Sequence, residues 1–258
     1  MNRHKRLQTI LQELEKRNSL EVMQVVEMFS ISPATVRRDF NFLVDNYEVE
    51  KTWGGISSAP DSSNMSTSLS WQQRRSKNYE AKKMIAKKAA SLVKDGEIVF
   101  IDGGTTTVEM LPFLAHKRLR IITNSILIAE QVDTLKTSFI SEVFLTGGLL
   151  YPKLGLVVGP QAVDCISGFN ADWAFLSAAG VTEQGATNTN VLVVQTERAM
   201  IEQSRITAVL ADSSKFGKKD LVKLCDFKEV DYLITEDTRN KQHLQLLQDK
   251  KIDVLIGG

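Results

Sequence analysis

The sequence predicts two domains: an N-terminal α+β domain with a helix-turn-helix and a β-hairpin, and a larger α/β domain with a mainly parallel sheet. A chain of 258 residues is long enough for both. Apolar residues recur at helical spacing near the N-terminus, and short apolar strands alternate with helical segments after residue 97. A serine-rich stretch separates the two patterns. We therefore predict a first domain at 1–57, with the helix-turn-helix at 20–39, a linker at 58–72 and a second domain at 73–258.

Composition excludes several classes of protein. The chain holds 32 Lys and Arg against 31 Asp and Glu, which argues against a uniformly basic nucleic-acid binder. It has two cysteines without a CxxC motif and three scattered histidines, so we expect a reducing compartment, no metal site and no cofactor. No apolar run is long enough to cross a bilayer, and the N-terminus lacks the apolar core of a signal peptide. We expect a cytoplasmic protein without a membrane partner.

The first two helices are predicted from apolar spacing. One runs from Arg3 to Arg17, and Asn18 is expected to end it. Ser19 is the candidate N-cap of a second helix that extends to about Phe29.

The third helix carries the DNA-binding hypothesis. Ser32 is suited to cap it and Pro33 to occupy its first position. The apolar positions Val36, Phe40 and Leu43 leave two adjacent arginines, Arg37 and Arg38, on or beside the opposite face. This arrangement is typical of a recognition helix, because the planar guanidinium can grip guanine edges or phosphates. The alternative is a solvated helix whose arginines only keep the protein soluble.

A short hairpin is predicted over residues 47–55, where residues alternate and end in two glycines. Residues 1–55 carry eight basic and eight acidic side chains, so this domain is not basic as a whole. DNA binding would then depend on two clusters of cations. Their members are Arg3, Lys5 and Arg6 in one cluster and Arg37, Arg38 and Lys51 in the other.

The segment 71–94 is strongly basic, with eight Lys and Arg against the single acid Glu80. An apolar stripe predicts a helix from Lys82 to Lys94. We favour a solvated helix packed on the second domain. The alternative is an additional electrostatic attraction for DNA or for an anionic ligand.

The remainder predicts a mainly parallel sheet with connecting helices, in which ligands bind outside the carboxyl ends of the strands. The predicted strands are Ile98–Ile101, Leu119–Thr123, Val143–Leu145, Trp173–Ser177, Thr207–Ala211, Tyr232–Thr235 and Val254–Ile256. The predicted helices are Val108–Leu114, Ile126–Val132, Thr196–Gln203 and Gln242–Gln248.

A glycine and threonine segment, residues 101–107, links the first of these strands to a helix. Glycines allow backbone N–H groups to approach an anion, and a helix N-terminus with threonine hydroxyls favours phosphate. An ordinary strand-to-helix turn capped by threonine is the alternative. The segment is neither a Walker loop nor a GxGxxG fingerprint.

Two ordered sets of motifs resemble the DeoR family of bacterial transcriptional repressors. The first is Ser32-x-x-Thr35-Val36-Arg37-Arg38-Asp39 followed by Gly54-Gly55. The second consists of the segments 101–107, Thr123-Asn124-Ser125, Thr146-Gly147-Gly148, Gly180-Val181, Gly185-Ala186-Thr187 and 211–217. The resemblance implies an N-terminal winged helix-turn-helix. It also implies an effector domain similar in fold to ribose-5-phosphate isomerase and glucosamine-6-phosphate deaminase.

By this resemblance we expect a repressor of a sugar-utilisation operon, not an enzyme and without catalytic residues, that a phosphorylated sugar releases from double-stranded operator DNA. Symmetric half-sites would require a homo-oligomer, a dimer or a tetramer. The expected DNA contacts are Ser32, Thr35, Arg37, Arg38, Asn41 and Lys51. The expected effector contacts are Asp102, Gly103, Gly104, Thr105, Thr106, Thr107, Asn124, Ser125, Gly147, Gly148, Glu197 and Lys215.

The chain departs from the family pattern at several positions. Lys51 stands where the family often has Arg, and it keeps the charge but not the bidentate fork. Ala179 stands where the family often has an acid, which points to a different ligand contact at that position. Glu197 is expected to be either a pocket acid or an exposed helix acid. Two other functions stay open: a sugar-phosphate isomerase or deaminase, which would need carboxylates near the sugar, and a protein-interaction module.

Overall fold

A computed structural model describes residues 3–47, 49–58, 71–135, 137, 139–152, 154–236 and 252–257. The chain divides into two compact units, 1–73 and 74–258. Most of the predicted linker lies outside the described residues. No helix in the described ranges is long and apolar enough to cross a membrane.

The first unit is a three-helix domain with a small antiparallel sheet. Its elements are α1 (Arg3–Arg17), β1 (Ser19–Glu21), α2 (Val22–Phe29), α3 (Pro33–Asn46), β2 (Val49–Thr52) and β3 (Gly55–Ser58). The strands lie in the order β1-β3-β2, so β3 pairs with both neighbours. Strands β2 and β3 form the predicted hairpin.

Local chemistry explains where these helices begin and end. Asn18 adopts a left-handed conformation and its N–H donates to the Leu14 carbonyl at 2.8 Å, as expected for the end of α1. Ser32 caps α3 by accepting the Thr35 N–H at 3.2 Å, and Pro33 follows at the first helical position. Ser19 does not cap α2, because it belongs to β1 and pairs with Ser57. Glu21 takes that place, and the Gln24 side chain accepts its backbone N–H in a capping box.

The apolar stripes of the three helices meet the sheet in one core. Ile10, Val25, Val36, Leu43 and Ile56 are inaccessible to solvent there. This packing fixes which face of α3 points outward.

The second unit is an α/β domain built on a seven-stranded parallel sheet in the order β15-β14-β12-β9-β4-β5-β6. Each pair of neighbours in it is parallel. These strands are β4 (Ile98–Ile101), β5 (Leu119–Thr123), β6 (Ile140–Leu145), β9 (Ala171–Ser177), β12 (Ser204–Leu210), β14 (Tyr232–Thr235) and β15 (Asp253–Ile256). The seven predicted strands correspond to them. The predicted helix Gln242–Gln248 lies outside the described residues.

Helices and two small sheets complete this unit. The helices are α4 (Trp71–Ser76), which begins before residue 74, α5 (Tyr79–Leu92), α6 (Leu111–Leu114), α7 (Ile126–Leu135), α8 (Pro160–Ser167) and α9 (Val191–Glu202). The additional strands are β7 (Leu149–Tyr151), β8 (Leu156–Val158), β10 (Gly180–Thr182), β11 (Gly185–Asn188) and β13 (Val222–Cys225). The buried side chains Phe100, Ile122, Leu176 and Met200 pack the sheet against α8 and α9.

Candidate functional site

The exposed face of α3 presents the two predicted arginines. Arg37, Arg38 and Asn41 are exposed, and the guanidinium groups of the arginines make no hydrogen bond or ion pair within the described residues. The Ser32 hydroxyl is engaged by its cap and lies 2.9 Å from the Thr35 hydroxyl. The structure thus leaves the arginines available for a partner, while Ser32 and Thr35 bond to each other.

A buried acid on the same helix binds the other predicted cluster of cations. Asp39 is buried and accepts from Arg6 Nε at 2.7 Å and from Arg3 Nε at 3.3 Å. Arg6 is itself buried, and Arg3 also lies over the Phe42 ring at 4.8 Å. The expectation that Arg3, Lys5 and Arg6 form a free phosphate-binding cluster is therefore wrong for Arg6, because its charge is already paired inside the domain.

The hairpin extends beside the recognition helix. Lys51 on β2 donates to Asn41 Oδ1 at 3.1 Å, so two predicted DNA contacts are bonded to each other. Trp53 lies at the tip of the hairpin and is fully exposed. Trp53 was not among the predicted DNA contacts, although a large aromatic side chain directly before two glycines was a usable signal.

A second polar site lies at the carboxyl ends of β4, β5 and β6 in the other unit. Asp102 follows β4 and is buried, and its Oδ2 accepts from Ser177 Oγ at 2.7 Å and from the Ser177 N–H at 3.2 Å. Its Oδ1 has no partner within the described residues. Burial raises the pKa of Asp102, and the bonds from Ser177 oppose that shift.

The neighbouring strand ends add further unpaired polar atoms. Asn124 after β5 is inaccessible to solvent, and both its amide nitrogen and its amide oxygen lack partners among the described residues. The Thr146 hydroxyl after β6 is buried and also has no partner among the described residues. Ser125 instead caps α7 by accepting the Ile128 N–H. Buried polar atoms without partners are rare, so these atoms indicate a site for a polar ligand.

Gly147 and Gly148 are exposed, in contrast to Thr146. Gly148 has a φ of +126°, and a Cβ there would lie 2.6 Å from the Val158 carbonyl oxygen. Close approach of β7 and β8 thus accounts for this glycine. The contact of Gly147 and Gly148 with an effector stays a prediction. Thr146, from the same segment, has the buried unpaired hydroxyl but was not among the predicted effector contacts.

The segment 102–107 is braced by its own threonine. Thr107 donates to the carbonyls of Asp102 at 2.5 Å and Gly104 at 2.9 Å. A Cβ on Gly103 would collide with Leu156, and one on Gly104 would collide with Ser177, so close packing of protein atoms requires both glycines. The backbone N–H groups of Gly104, Thr105 and Thr106 have no acceptor within the described residues. The predicted helix Val108–Leu114 is formed by a 3-10 turn (Thr107–Met110) that α6 (Leu111–Leu114) continues directly.

Three cations accompany this loop, and two of them, Arg74 and Lys82, belong to the basic segment 71–94 and were not among the predicted effector contacts. Neither the Arg74 guanidinium nor the Lys215 ammonium makes a hydrogen bond or ion pair in the described part of the chain. Desolvation lowers the pKa of each. Lys82 is 3% exposed and donates to the Arg74 carbonyl, and burial lowers its pKa to about 8. The predicted helix packs on the second domain, but Lys82 is buried in that contact and is not one of its solvated cations.

Acids near these cations orient the loop after β12. Asp212 is buried, accepts from Asn78 Nδ2 at 2.9 Å and caps the short turn that carries Lys215. Its charge opposes the lowering of the pKa of both Lys82 and Lys215. Arg75, next to Arg74, pairs with the buried Glu109 at 2.5 Å.

Glu197 is inaccessible to solvent in the middle of α9, so it is not an exposed helix acid. Its Oε1 accepts from Asn188 Nδ2 at 2.7 Å, and its Oε2 has no partner among the described residues. Helix α9 begins at Val191 after an Asn190 cap, five residues before the predicted start.

An exposed pair of arginines on a helix-turn-helix, together with a parallel-sheet domain in the same chain, is typical of a DNA-binding transcription regulator. The sequence matches the DeoR-like helix-turn-helix domain over residues 6–61 and the DeoR C terminal sensor domain over residues 77–237. The chain belongs to the DeoR family.

Its similarity to curated relatives extends over nearly the full length of both chains. The glycerol-3-phosphate regulon repressor of Escherichia coli (strain K12) is 32% identical over 256 residues, covering 98% of this chain and 99% of the relative. The lactose phosphotransferase system repressor of Staphylococcus epidermidis is 29% identical over 247 residues, which cover 95% of this chain and 97% of the relative. Ribose 5-phosphate isomerase A of Methanocaldococcus jannaschii is 22% identical with a TM-score of 0.40, covering 55% of this chain and 56% of that chain.

Proposed function

We propose that this protein represses a sugar-utilisation operon and is released from its operator by a phosphorylated sugar or sugar derivative. Residues 1–57 bind double-stranded DNA, 58–72 link the domains, and 73–258 bind the effector. The observation that carries the effector proposal is the group of buried, unpaired polar atoms at the strand ends. The atoms at the strand ends belong to Asp102, Asn124 and Thr146, and none of them has a partner among the described residues. Glu197 of α9 adds a buried oxygen that is also unpaired in the described part of the chain.

The charges near the same strand ends suit a phosphate. Arg74 and Lys215 present cations without hydrogen-bond partners in the described residues, and Gly104, Thr105 and Thr106 present free N–H groups. Charge-assisted bonds to phosphate oxygens would pair both sets. The polar atoms of Asp102 and Asn124 would then bind hydroxyl groups. The names of two relatives, which refer to glycerol-3-phosphate and to a lactose phosphotransferase system, support this ligand class.

On the DNA side, Arg38 reads the operator while Arg37 and Lys51 contact phosphates. A symmetric operator requires at least two copies of the chain, so the active form is a homo-oligomer. The effector lowers operator affinity through a coupling of about 1–3 kcal/mol, which is typical of such linked sites.

The test is fluorescence anisotropy on labelled DNA from upstream of the protein's own gene, with a panel of sugar phosphates. Specific binding that one compound releases is the expected result. Arg38→Ala should weaken operator binding and leave effector binding intact, while Lys215→Ala should retain operator binding and blunt release. Arg17→Ala, which removes a cation paired with Glu13, is the matched control. Specific DNA binding that no compound reverses would contradict the effector proposal.

An enzymatic function is the alternative, because two buried carboxyl groups, those of Asp102 and Glu197, each have an oxygen that no described residue binds and that could transfer a proton. Curated relatives named as transcriptional regulators favour the non-enzymatic function. Turnover of ribose 5-phosphate or of an amino-sugar phosphate by the purified protein would support the enzyme instead.

A further inference from the structure

Glu197 combines complete burial with a free oxygen. Helix α9 carries it, Asn188 of β11 donates to one oxygen of its carboxyl group, and the other oxygen has no partner among the described residues. Its electrostatic interaction with Asp102 connects it to the strand-end site. A buried carboxyl group left half-bonded is costly unless a ligand completes it. A ligand at this site would therefore be selected by the group that it offers to Glu197.

The hydrogen bonds around Asn188 define which carboxyl oxygen accepts. The Thr189 N–H donates to Asn188 Oδ1 at 2.9 Å, so the amide oxygen faces the backbone and the NH2 group faces Glu197. That NH2 group donates to Glu197 Oε1 at 2.7 Å. In a neutral carboxyl group Oε1 is then the carbonyl oxygen, and Oε2 carries the proton as a donor.

The charged surroundings disfavour an ionised Glu197. The titratable groups that face it are Asp102 from the end of β4 and the buried Cys225 from β13. The next residue, Arg198, turns its guanidinium to the carbonyls of Leu224 and Lys223, both at 2.9 Å. On α8, which packs against α9, Asp164 is exposed. Burial and the charge of Asp102 raise the pKa of Glu197 well above its ordinary value.

Resting on the effector function proposed above, we infer that Glu197 is uncharged and donates a hydrogen bond from Oε2 to an uncharged oxygen of the effector. The ligand class is a phosphorylated polyol or sugar with a hydroxyl or carbonyl oxygen at this end. An ammonium group, as in an amino-sugar phosphate, would bind an ionised Glu197 better than an uncharged one, so we expect it to be disfavoured at this end of the ligand. Asp102 interacts electrostatically with both Arg74 and Glu197, and so links the cationic region to this acid.

The first measurement needs no ligand. The infrared spectrum of the full-length protein at pH 7 should contain a carboxylic-acid C=O band that disappears in Glu197→Gln and persists in Asp102→Asn. Persistence of the band in Glu197→Gln would place the proton on another group and overturn the inference. The glutamine variant is isosteric and keeps one donor and one acceptor, so it tests charge with little change in packing.

The second measurement is calorimetric binding of a panel: glycerol 3-phosphate, fructose 1-phosphate, glucose 6-phosphate and glucosamine 6-phosphate. Glu197→Gln should bind the tightest compound within about threefold of the parent, and Glu197→Ala should lose about tenfold or more, as expected for one lost hydrogen bond. Glucosamine 6-phosphate should bind no better than glucose 6-phosphate.

The outcomes separate this inference from the function on which it rests. If compounds bind but Glu197→Gln loses as much affinity as Glu197→Ala, or the amino sugar is preferred, only the inference fails. If the infrared band behaves as expected and no compound binds, the effector function fails and the inference fails with it.

Discussion

Asp39 shows how one residue directs the recognition helix. Its carboxylate lies inside the first unit, where it binds Arg6 and Arg3 on α1. These bonds anchor the inner face of α3, while the adjacent Arg38 is exposed on the outer face. An acid that offsets one of the domain's basic residues therefore stabilises the helix that presents its arginines.

We predict that Asp39→Ala destabilises the protein by about 3 kcal/mol, because it leaves the buried Arg6 charge without its partner. The midpoint of urea unfolding for the first unit, followed by circular dichroism, measures the effect. Glu13→Ala is the control, since the partners of Glu13 are exposed and such pairs contribute little. An equal effect of both variants would show that the ion pair of Asp39 adds no special stability.

Lys82 is a buried cation that forms no ion pair among the described residues. Desolvation lowers its pKa to about 8, and the nearby charges of Arg74 and Lys215 act in the same direction. Because the folded-state pKa lies below that of the unfolded chain, charged Lys82 destabilises the fold below pH 8, and this penalty is relieved as the pH rises from about 8 to about 10. A bound phosphate would compensate the charge instead.

We therefore predict that effector affinity falls between pH 7 and pH 9 as Lys82 loses its proton, and that Lys215, whose pKa desolvation also lowers, contributes in the same direction. The phosphate is already a dianion over this range, since its second pKa is about 6. Calorimetric titration of the compound that releases the operator measures this dependence. Lys82→Met should weaken binding at pH 7 and flatten the pH profile. Affinity that stays constant from pH 7 to pH 9 in the parent would contradict a role for these lysines.

At the scale of elements, the hairpin is coupled to the recognition helix. Lys51 of β2 bonds to Asn41 of α3, and β3 pairs with β1, which leads directly into α2. The position of the hairpin is thus fixed from two sides. Its tip carries Trp53, whose ring contacts no described neighbour closely enough to bury it.

We predict that operator binding changes the fluorescence of Trp53, because its fully exposed indole would pass from water into contact with DNA. The chain has three tryptophans, and Trp173 is buried beside Phe175 with ring centroids 5.2 Å apart. Titration of the parent and of Trp53→Phe with the operator duplex isolates the signal. Quenching of equal size in the two proteins would show that the hairpin tip does not touch DNA.

The regular elements could be predicted from sequence because their apolar residues repeat often enough for a helical or strand spacing to be recognised. The strands Ile98–Ile101, Leu119–Thr123 and Tyr232–Thr235 have the predicted bounds. Three-residue strands such as β1 and β7 were missed, since a period of two cannot be established over three residues. The start of α9 was missed although Asn190 offered a recognisable N-cap.

The candidate site was predictable in its location but only partly in its members. Polar residues after successive strands correctly indicate the carboxyl edge of a parallel sheet, where Asp102 and Asn124 lie. The burial of Lys82 could not be predicted, because a lysine in a basic helix gives no local sign of which neighbours enclose it. The glycines of 103–104 were expected to admit a ligand, whereas packing of Leu156 and Ser177 requires them.

For the whole molecule, the distribution of charge decides how strongly it attracts DNA. The net charge is +1, and residues 1–55 carry equal numbers of basic and acidic side chains. Among those basic residues, Arg6 is buried in an ion pair, and Lys16 and Arg17 pair with Glu13. The first unit therefore has few cations free for phosphates, and Arg37 and Arg38 are prominent among them.

We expect modest non-specific DNA affinity with a clear dependence on salt. Each phosphate neutralised contributes about −0.9 to the slope of log K against log salt, so a few contacts per protomer in a dimer give a slope of about −4. Anisotropy titrations between about 50 mM and 200 mM salt measure it. Arg37→Ala should reduce the magnitude of the slope by about 2 in a dimer, one unit for each copy, because Arg37 is assigned to phosphate. Lys16→Ala should leave the slope unchanged, since its charge is already paired with Glu13. A slope near zero for the parent would mean that the protein does not bind DNA through its exposed cations.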